Sequence, residues 1–250
     1  MWSLLRTPRW IAFTALVLAA IVAFGLLSRW QWARAEERRT DRVELQTETS
    51  TDPTSWSIAV ESGQEWRPVT LVGTFEADGT VLIRQRPLDG RNGFWVATPL
   101  RQPDGSRVWI NRGWIAAEGG ATATQAAPEP PAGDVTVAGW LRTAEVTPSP
   151  APTDLPDGQA AALDPTMLDA GSQPGFYVQM RVSSPADADV TPVPVPVIDE
   201  GRNISYAIQW LLFAAVAIAG WLFFLRREAR DDAERQAAAQ SREDAPWTSA

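Results

Sequence analysis

Two long uncharged apolar runs lie near the two ends of the chain. The first covers residues 10–28 and is bracketed by Arg9 and Arg29. At 1.5 Å per residue, a helix of this length spans roughly 30 Å, the thickness of the hydrocarbon core of a bilayer. The second run covers residues 204–225 and is followed by two arginines. The pattern therefore predicts two transmembrane helices.

The first run also has features of a cleaved signal peptide. Arg6 and Arg9 precede it, and Ala33-Arg34-Ala35 after it has the small residues of a cleavage site. The apolar part of a signal peptide is normally about 7–15 residues long, which is shorter than this run. We therefore expect the first span to be retained as an anchor, with cleavage as the alternative.

The arginines flanking the spans give conflicting evidence on orientation. After the second span come several arginines, which favours a cytoplasmic C-terminus. The first span disagrees, because more arginines follow it than precede it. Long loops cross the membrane largely regardless of charge. We therefore expect a two-span protein of the bacterial plasma membrane, with both termini cytoplasmic and the central part extracytoplasmic.

Between the spans, short β-rich runs alternate with turn signals. They predict strands and hairpins, together about seven strands with no long helical period. The expected fold is a mostly antiparallel, barrel-like β domain with little helix. The predicted strands are residues 66–75 and 80–86 as a hairpin around Ala77-Asp78-Gly79, 94–100 and 107–115 as a hairpin around Pro103-Asp104-Gly105, then 135–142 and 176–182.

Other segments predict short helical or irregular structure. Asp164 followed by Pro165 indicates a helical turn, with Asp as N-cap. In residues 191–197 proline alternates with valine, so one edge lacks backbone donors, as in an edge strand or a polyproline II segment. Loops are expected at 116–134 and 147–162. The predicted organisation is a cytoplasmic N-terminus (1–9), a first span (10–28), an extracytoplasmic β domain (29–203), a second span (204–225) and a disordered cytoplasmic tail (226–250).

The composition excludes many kinds of chemistry. The chain of 250 residues has no His and no Cys, and all of its basic residues are Arg. This excludes His- or Cys-ligated metals, His-dependent nucleophiles, disulfides and lysine Schiff bases. The net charge of −8 argues against nucleic acid as a partner. Carboxylate pairs such as Asp187 and Asp189 lie in a Pro/Ala-rich loop and are expected to be solvated, so we expect a protein that is not an enzyme.

Three groups of residues are candidates for binding. Trp30, Arg34 and Arg38 are four residues apart on one predicted helical face. They form either an interfacial belt with snorkelling arginines or a surface that faces a partner or ligand. In Asn111-Arg112-Gly113-Trp114 at a strand end, the arginine either pairs with a structural carboxylate or is offered to an anionic ligand group.

The third group lies at the beginning of the second span. Asn203, Tyr206 and Trp210 have the i, i+3, i+7 spacing of one helical stripe. Gln209 lies about a turn inside the apolar run, where a polar side chain should face protein and not lipid. It either joins the second span to the first or meets another protein.

With these residues the chain resembles the SURF1 family of cytochrome c oxidase assembly factors, and in particular its bacterial members of the actinobacterial type. The resemblance covers most of the chain. Besides the two spans it rests on Trp30-Gln31 with Arg34, Arg67 with Gly73 and Phe75, Arg84, Gly93, Thr98-Pro99-Leu100, Asn111-Arg112-Gly113-Trp114, Gly139 with Arg142, and Tyr206-Ala207 with Trp210.

The resemblance implies a role in forming the haem a centre of an aa3-type oxidase, since some bacterial members bind haem a. The implied partners are oxidase subunits, in the free enzyme or in a bc1–oxidase supercomplex. We expect the partner or haem contacts among Trp30, Gln31, Arg34, Arg38, Arg112, Trp114, Asn203, Tyr206, Gln209 and Trp210. Of these, Arg34, Arg38 and Arg112 are the candidates for propionate or carboxylate contacts, and Trp30, Tyr206 and Trp210 are the candidates for apolar packing.

One position departs from the family. Where members often have a His before Tyr-Ala, the suspected haem ligand, this chain has Asn203. We therefore expect no tightly bound cofactor, and any haem a would be held without a His ligand, since only Met1, Met167, Met180, Tyr177 and Tyr206 are of a usual ligand type. The alternatives are a permanent accessory subunit of a respiratory supercomplex without a haem role, and a membrane-anchored lipid- or ligand-binding β domain.

Overall fold

The computed structural model describes residues 6–118, 125–146, 155–169, 172 and 175–243. Its elements divide into two compact units. One is formed by the two ends of the chain, up to Arg42 and from Ile198 onward, and the other by Val43–Val197. In chain order the elements are α1 (Pro8–Thr49), α2 (Trp56–Ser62), β1 (Pro68–Phe75), β2 (Val81–Ile83), β3 (Gly93–Arg101), β4 (Arg107–Ala116), β5 (Asp134–Thr143), β6 (Gln159–Ala160), α3 (Pro165–Leu168), β7 (Phe176–Ser184) and α4 (Gly201–Glu243).

Helices α1 and α4 form an antiparallel pair. Ser28 Oγ donates to Ala207 O at 2.9 Å, and Trp221 Nε1 donates to Thr14 Oγ1 at 3.0 Å. Buried and half-buried positions recur every three or four residues, the period of a coiled-coil seam. Along α4 these positions are Ala207, Trp210, Ala214, Ala217, Trp221 and Leu225.

Both long helices are apolar enough to cross a bilayer. Their most apolar windows have mean hydropathies of 2.5 in α1 and 2.1 in α4, and only 6% of the residues in each window are buried. The exposed remainder suits contact with lipid, since nothing in water would stabilise so much apolar surface. The predicted spans 10–28 and 204–225 lie inside these helices.

The helices extend well beyond the spans. α1 continues to Thr49, and α4 continues to Glu243 through the region predicted to be a disordered tail. That prediction is wrong for residues 226–243, because the segment is rich in strong helix formers and carries i, i+3 ion pairing. One such pair joins Arg235 to Asp232 at 2.9 Å. The rest of the predicted tail, 244–250, lies outside the described residues.

The middle unit is a barrel, as predicted. The seven strands have the order β1-β5-β7-β4-β3-β2-β6, and a further pairing of β1 with β3 closes five of them into a ring. β4 and β7 run parallel, and the other pairs around the ring are antiparallel. This is the Greek-key arrangement of OB-fold barrels. Side chains fill its interior, among them Val69, Leu71, Leu100, Ile110, Val137 and Leu141.

Several details of the predicted strands change. The expected hairpin around Ala77-Asp78-Gly79 is wrong: these residues form a 3-10 turn, and β2 pairs with β3 and β6. β1 instead pairs with β5 from Pro68 to Thr74, and its last two residues pair with β3. β2 ends at Ile83 and not at residue 86, and Gln85 has a left-handed backbone (φ 56°). The hairpin of β3 with β4, turning at Gly105, is confirmed.

The smaller predictions have mixed outcomes. Asp164 does cap α3, since its Oδ1 accepts from Thr166 N at 3.0 Å. In the Val-Pro segment 191–197, Thr191 forms a bridge with Trp114, and the remaining residues have no strand assignment. The short helix α2 is absent from the sequence prediction. The loops at 116–134 and 147–162 lie partly outside the described residues, and the second contains β6.

A buried ion pair holds two loops on the barrel. The register of β3 against β4 shifts at Arg112, so that this residue is the extra one of a β-bulge. Its Nε lies 2.6 Å from Asp187 Oδ2 and its Nη2 lies 3.0 Å from Asp187 Oδ1. Its Nη atoms also donate to Pro128 O at 2.8 Å and Glu129 O at 2.9 Å. The expectation that Asp187 is solvated is therefore wrong, since its side chain is 2% exposed.

We predict that Asp187→Ala destabilises the barrel strongly. It leaves the Arg112 guanidinium buried without its counter-charge, which typically costs about 3–5 kcal/mol. Urea unfolding of the full chain in detergent, followed by the near-ultraviolet circular dichroism of its tryptophans, measures the loss. The matched control Asp189→Ala removes an exposed carboxylate two residues away and should stay within about 0.5 kcal/mol of the parent. Equal effects of the two variants would contradict a structural role for the pair.

We also predict an alkaline loss of stability from Tyr177. Burial raises the pKa of this phenol to about 12, whereas an unfolded tyrosine has a pKa of about 10. A raised pKa leaves stability intact below pH about 10 and reduces it as the pH rises toward 12. Since the chain has no Lys or Cys, few other side chains titrate there. Unfolding measured from pH 9 to 12 should give a flatter curve for Tyr177→Phe; identical curves would contradict the assignment.

Candidate functional site

A cleft of about 600 Å³ lies on the helical pair, at the predicted outer ends of both spans. It is lined by Trp30, Gln31, Arg34, Glu37, Arg38, Asp41, Arg202, Asn203 and Tyr206. The α1 residues recur every three or four positions, so they share one face of the helix where it continues past the span. The α4 residues come from its first turns. Because the helices are antiparallel, these two stretches meet.

An ion pair holds the helices together next to the cleft. Arg42 Nη2 lies 2.8 Å from Glu200 Oε1, and Arg42 Nε lies 3.2 Å from Glu200 Oε2. The hydrogen bond from Arg42 is the main cause that lowers the pKa of Glu200. The carboxylate therefore stays ionised at neutral pH. This bidentate contact joins α1, one residue past Asp41, to the residue that precedes α4.

The charges in the cleft are only partly paired. Arg34 contacts Glu37 at 2.8 Å. Among the described residues, Arg38 and Arg202 have no carboxylate within ion-pair distance. Three arginines against two carboxylates leave the lining with one net positive charge. Planar guanidinium groups bind carboxylates and phosphates through paired hydrogen bonds, so the cleft suits an acidic group.

Aromatic rings lie on the membrane side of the cleft. Trp30 and Tyr206 are both about half exposed there. Amphipathic rings favour the boundary between headgroups and hydrocarbon. Gln31, Asn203 and the Tyr206 hydroxyl add neutral hydrogen-bonding groups. A ligand with an apolar body and an acidic end therefore fits this arrangement best.

The cleft brings together most of the site residues expected from the sequence. Trp30, Gln31, Arg34, Arg38, Asn203 and Tyr206 all line it. The sequence reasoning missed Glu37, Asp41 and Arg202. The signal was present for the first two, since they lie three and seven residues beyond Arg34 on the same helix. Arg202 adjoins Asn203 in the sequence.

The other four expected residues lie elsewhere. Trp210 belongs to the helix seam, where its ring stacks on Phe24 with centroids 5.8 Å apart. Gln209 is exposed and points away from α1, so it does not join the two spans. Arg112 is fully buried against Asp187, so its guanidinium is not offered to a ligand.

Trp114 is buried on β4, where it lines a smaller cleft of about 350 Å³. Its Nε1 donates to Arg86 O at 2.6 Å. The Arg86 guanidinium stacks over the Trp95 ring at 4.4 Å from the centroid and pairs with Glu145. Because Glu145 neutralises Arg86, this second cleft is not an obvious site for an anion.

The residues able to bind a metal or an iron porphyrin are few. Within the described residues, His, Cys, Asp and Glu form no cluster suited to a metal ion. Of the Met and Tyr residues of a usual haem-ligand type, Tyr206 lines the cleft. Tyr177 and Met180 are buried in the barrel unit, and Met167 is exposed on α3. Met1 lies outside the described residues.

We predict that the cleft depends on close helix packing at Ala207. This residue is fully buried opposite Ser28, and small residues allow such an approach. Ala207→Leu should push the helices apart by several Å. Since the chain has no Cys, spin labels on Leu26→Cys and Ile208→Cys report the distance without background. Ala215→Leu, at an exposed position of α4, is the control, and the account fails if both variants leave the distance unchanged.

Comparison with known proteins gives consistent matches. The family described as the SURF1 family matches residues 18–215. An uncharacterized SURF1-like protein of Mycobacterium tuberculosis is 28% identical over 247 residues, covering 91% of this chain and 88% of the relative. A SURF1-like protein of Monosiga brevicollis is 24% identical, covering 86% and 88%. One from Dictyostelium discoideum is 32% identical over 42% of each chain. The matched region includes both the barrel and the cleft.

Proposed function

Because the chain belongs to the SURF1 family, which is linked in general to cytochrome oxidase assembly, we propose that it supports maturation of the haem a centre of an aa3-type oxidase. One observation carries the proposal. Residues of the family pattern from opposite ends of the chain, Trp30, Gln31 and Arg34 with Tyr206, meet in a single cleft. Packing of two spans does not by itself require polar and aromatic groups to converge in this way.

The protein acts in the bacterial plasma membrane in this proposal. Both termini are cytoplasmic and the barrel is extracytoplasmic. The cleft then lies at the outer membrane surface, where Trp30 and Tyr206 meet the headgroup layer. Subunits of the oxidase, free or within a bc1–oxidase supercomplex, are the partners.

The cleft residues fit the acidic edge of a haem. Arg38 and Arg202 have no carboxylate partner among the described residues, and they are available for two propionates. The Trp30 and Tyr206 rings offer apolar contact to the macrocycle. Haem a supplies redox chemistry to the oxidase, and this chain's residues hold and orient its acidic groups.

The same residues do not fit an iron centre with a His ligand. Asn203 lines the cleft at the position where the family often has His, and a carboxamide is not a usual axial ligand. Tyr206 is the cleft residue of a usual ligand type. The proposed role is therefore recognition through the propionates, with the iron left to ligands of the oxidase.

The presence of Asn203 in place of the family's His favours a second candidate, a permanent accessory subunit of the respiratory supercomplex without a haem role. Affinity purification of the mature oxidase separates the two. Stoichiometric recovery of this chain favours the accessory subunit, and trace recovery favours the transient assembly factor.

We predict that Arg38→Ala with Arg202→Ala impairs oxidase maturation. Each lost charge-assisted hydrogen bond costs about 1.5–3 kcal/mol, so binding of an acidic group weakens at least about tenfold. In a deletion strain complemented with the double variant, the haem a absorbance of membranes should fall relative to that of haem b. Arg39→Ala, one position along α1 and outside the cleft lining, is the control. Unchanged spectra at equal protein levels would reject the proposed role of the cleft.

A further inference from the structure

We propose that two copies of this chain associate in the membrane through the exposed face of α4 centred on Gln209. The proposal does not rest on a role in oxidase assembly. It follows from a polar side chain that the fold leaves facing outward within an apolar span. The inference concerns the helical unit alone.

Gln209 lies inside the predicted second span and has no hydrogen-bonding partner among the described residues. It is the sixth residue of the span 204–225, about 8 Å beyond Ile204 at 1.5 Å per residue. Its side chain is exposed, and none of the described residues forms a hydrogen bond with its carboxamide. In lipid, water does not compensate an unpaired carboxamide, so a hydrogen-bonding partner stabilises it.

Helix α1 cannot supply that partner. The α4 seam against α1 passes through Ala207, Trp210 and Ala214. At 100° per residue, Gln209 lies about 200° around the helix from Ala207 and about 100° from Trp210. The residues that share its face include Ser205, Leu212 and Val216, of which the latter two are 59% and 68% exposed. Arg202, before the span, also lies about 20° around the helix from Gln209.

The apolar part of this face does not by itself indicate a protein partner, because lipid covers such surfaces equally well. Gln209 is the feature that distinguishes it from the other lipid-facing surfaces. A carboxamide both donates and accepts hydrogen bonds, so it is complementary to another carboxamide. Interhelical contacts in membranes use such polar side chains.

A second copy meets the geometric requirement without further assumptions. Two copies inserted in the same orientation place Gln209 at the same depth in the bilayer. A two-fold axis along the membrane normal then brings the two carboxamides together with reciprocal hydrogen bonds. Ser205, one turn away on the same face, is small enough for the helices to approach closely. Of the cleft residues on α4, Asn203 lies about 120° around the helix from Gln209, whereas Tyr206 and Arg202 lie about 60° and 20° from it, so the proposed dimer face adjoins the cleft.

Oxidative cross-linking of single cysteines in native membranes tests this directly, because the parent chain has none. Cysteine placed at Ser205, Gln209, Leu212 or Val216 should give disulfide-linked dimers of this chain. Cysteine at Leu211 or Ile218, exposed on the opposite side of α4, should not. No dimer at any position, or equal yields at all six, overturns the proposal. Cross-links from position 209 only to other proteins overturn a second copy as the occupant.

The role of the carboxamide is tested by two variants of the full chain. Gln209→Leu should weaken dimerisation in lipid bilayers about tenfold, since two interhelical hydrogen bonds are lost. Gln209→Asn keeps a donor and an acceptor and should retain most of the dimer. Energy transfer between labelled copies, measured as the protein is diluted in lipid, gives the dissociation constant. Equal dissociation constants for the parent and the leucine variant would contradict the proposal.

Discussion

The close contact of α1 and α4 at Ser28 and Ala207 is the constraint on which the cleft depends. Small side chains at this point let the two backbones approach until a serine hydroxyl reaches a carbonyl of the other helix. From there both helices continue past their spans, and Arg42 with Glu200 holds them together at the far side of the cleft. The polar and aromatic groups between these two contacts are thereby brought into one site.

The charge distribution explains what such a site can do without histidine. Arg38 and Arg202 have no ion-pair partner among the described residues, whereas Arg112 is satisfied by Asp187 inside the barrel. Arginines in the same chain therefore have opposite roles, one set available to an acidic ligand and one buried as structure. Asn203 keeps a hydrogen-bonding group in the cleft but not an iron ligand, so recognition is expected to act on the acidic groups of the ligand.

The sequence predicted the parts of this molecule that depend on local pattern. The length of the two apolar runs was sufficient to predict the spans. The i, i+4 spacing of Trp30, Arg34 and Arg38 was sufficient to predict that they share one helical face. The ion-pair partner of Arg112 was not predictable, because the burial of Asp187 depends on a β-bulge that only tertiary packing reveals. The turn at Ala77–Gly79 has the residues of a hairpin, yet β1 pairs with β5 across a long sequence separation. Gln209 could be expected to face protein, but which side of α4 it occupies required the seam with α1.

The central claim is that the cleft recognises acidic groups and not iron. Titration of the full-length protein in nanodiscs with an iron-free dicarboxylic porphyrin, followed by tryptophan fluorescence quenching, tests it most directly. The account predicts saturable binding of the free acid, little change when iron is present, and loss of binding for the dimethyl ester. Equal binding of acid and ester, or binding only when iron is present, would contradict it.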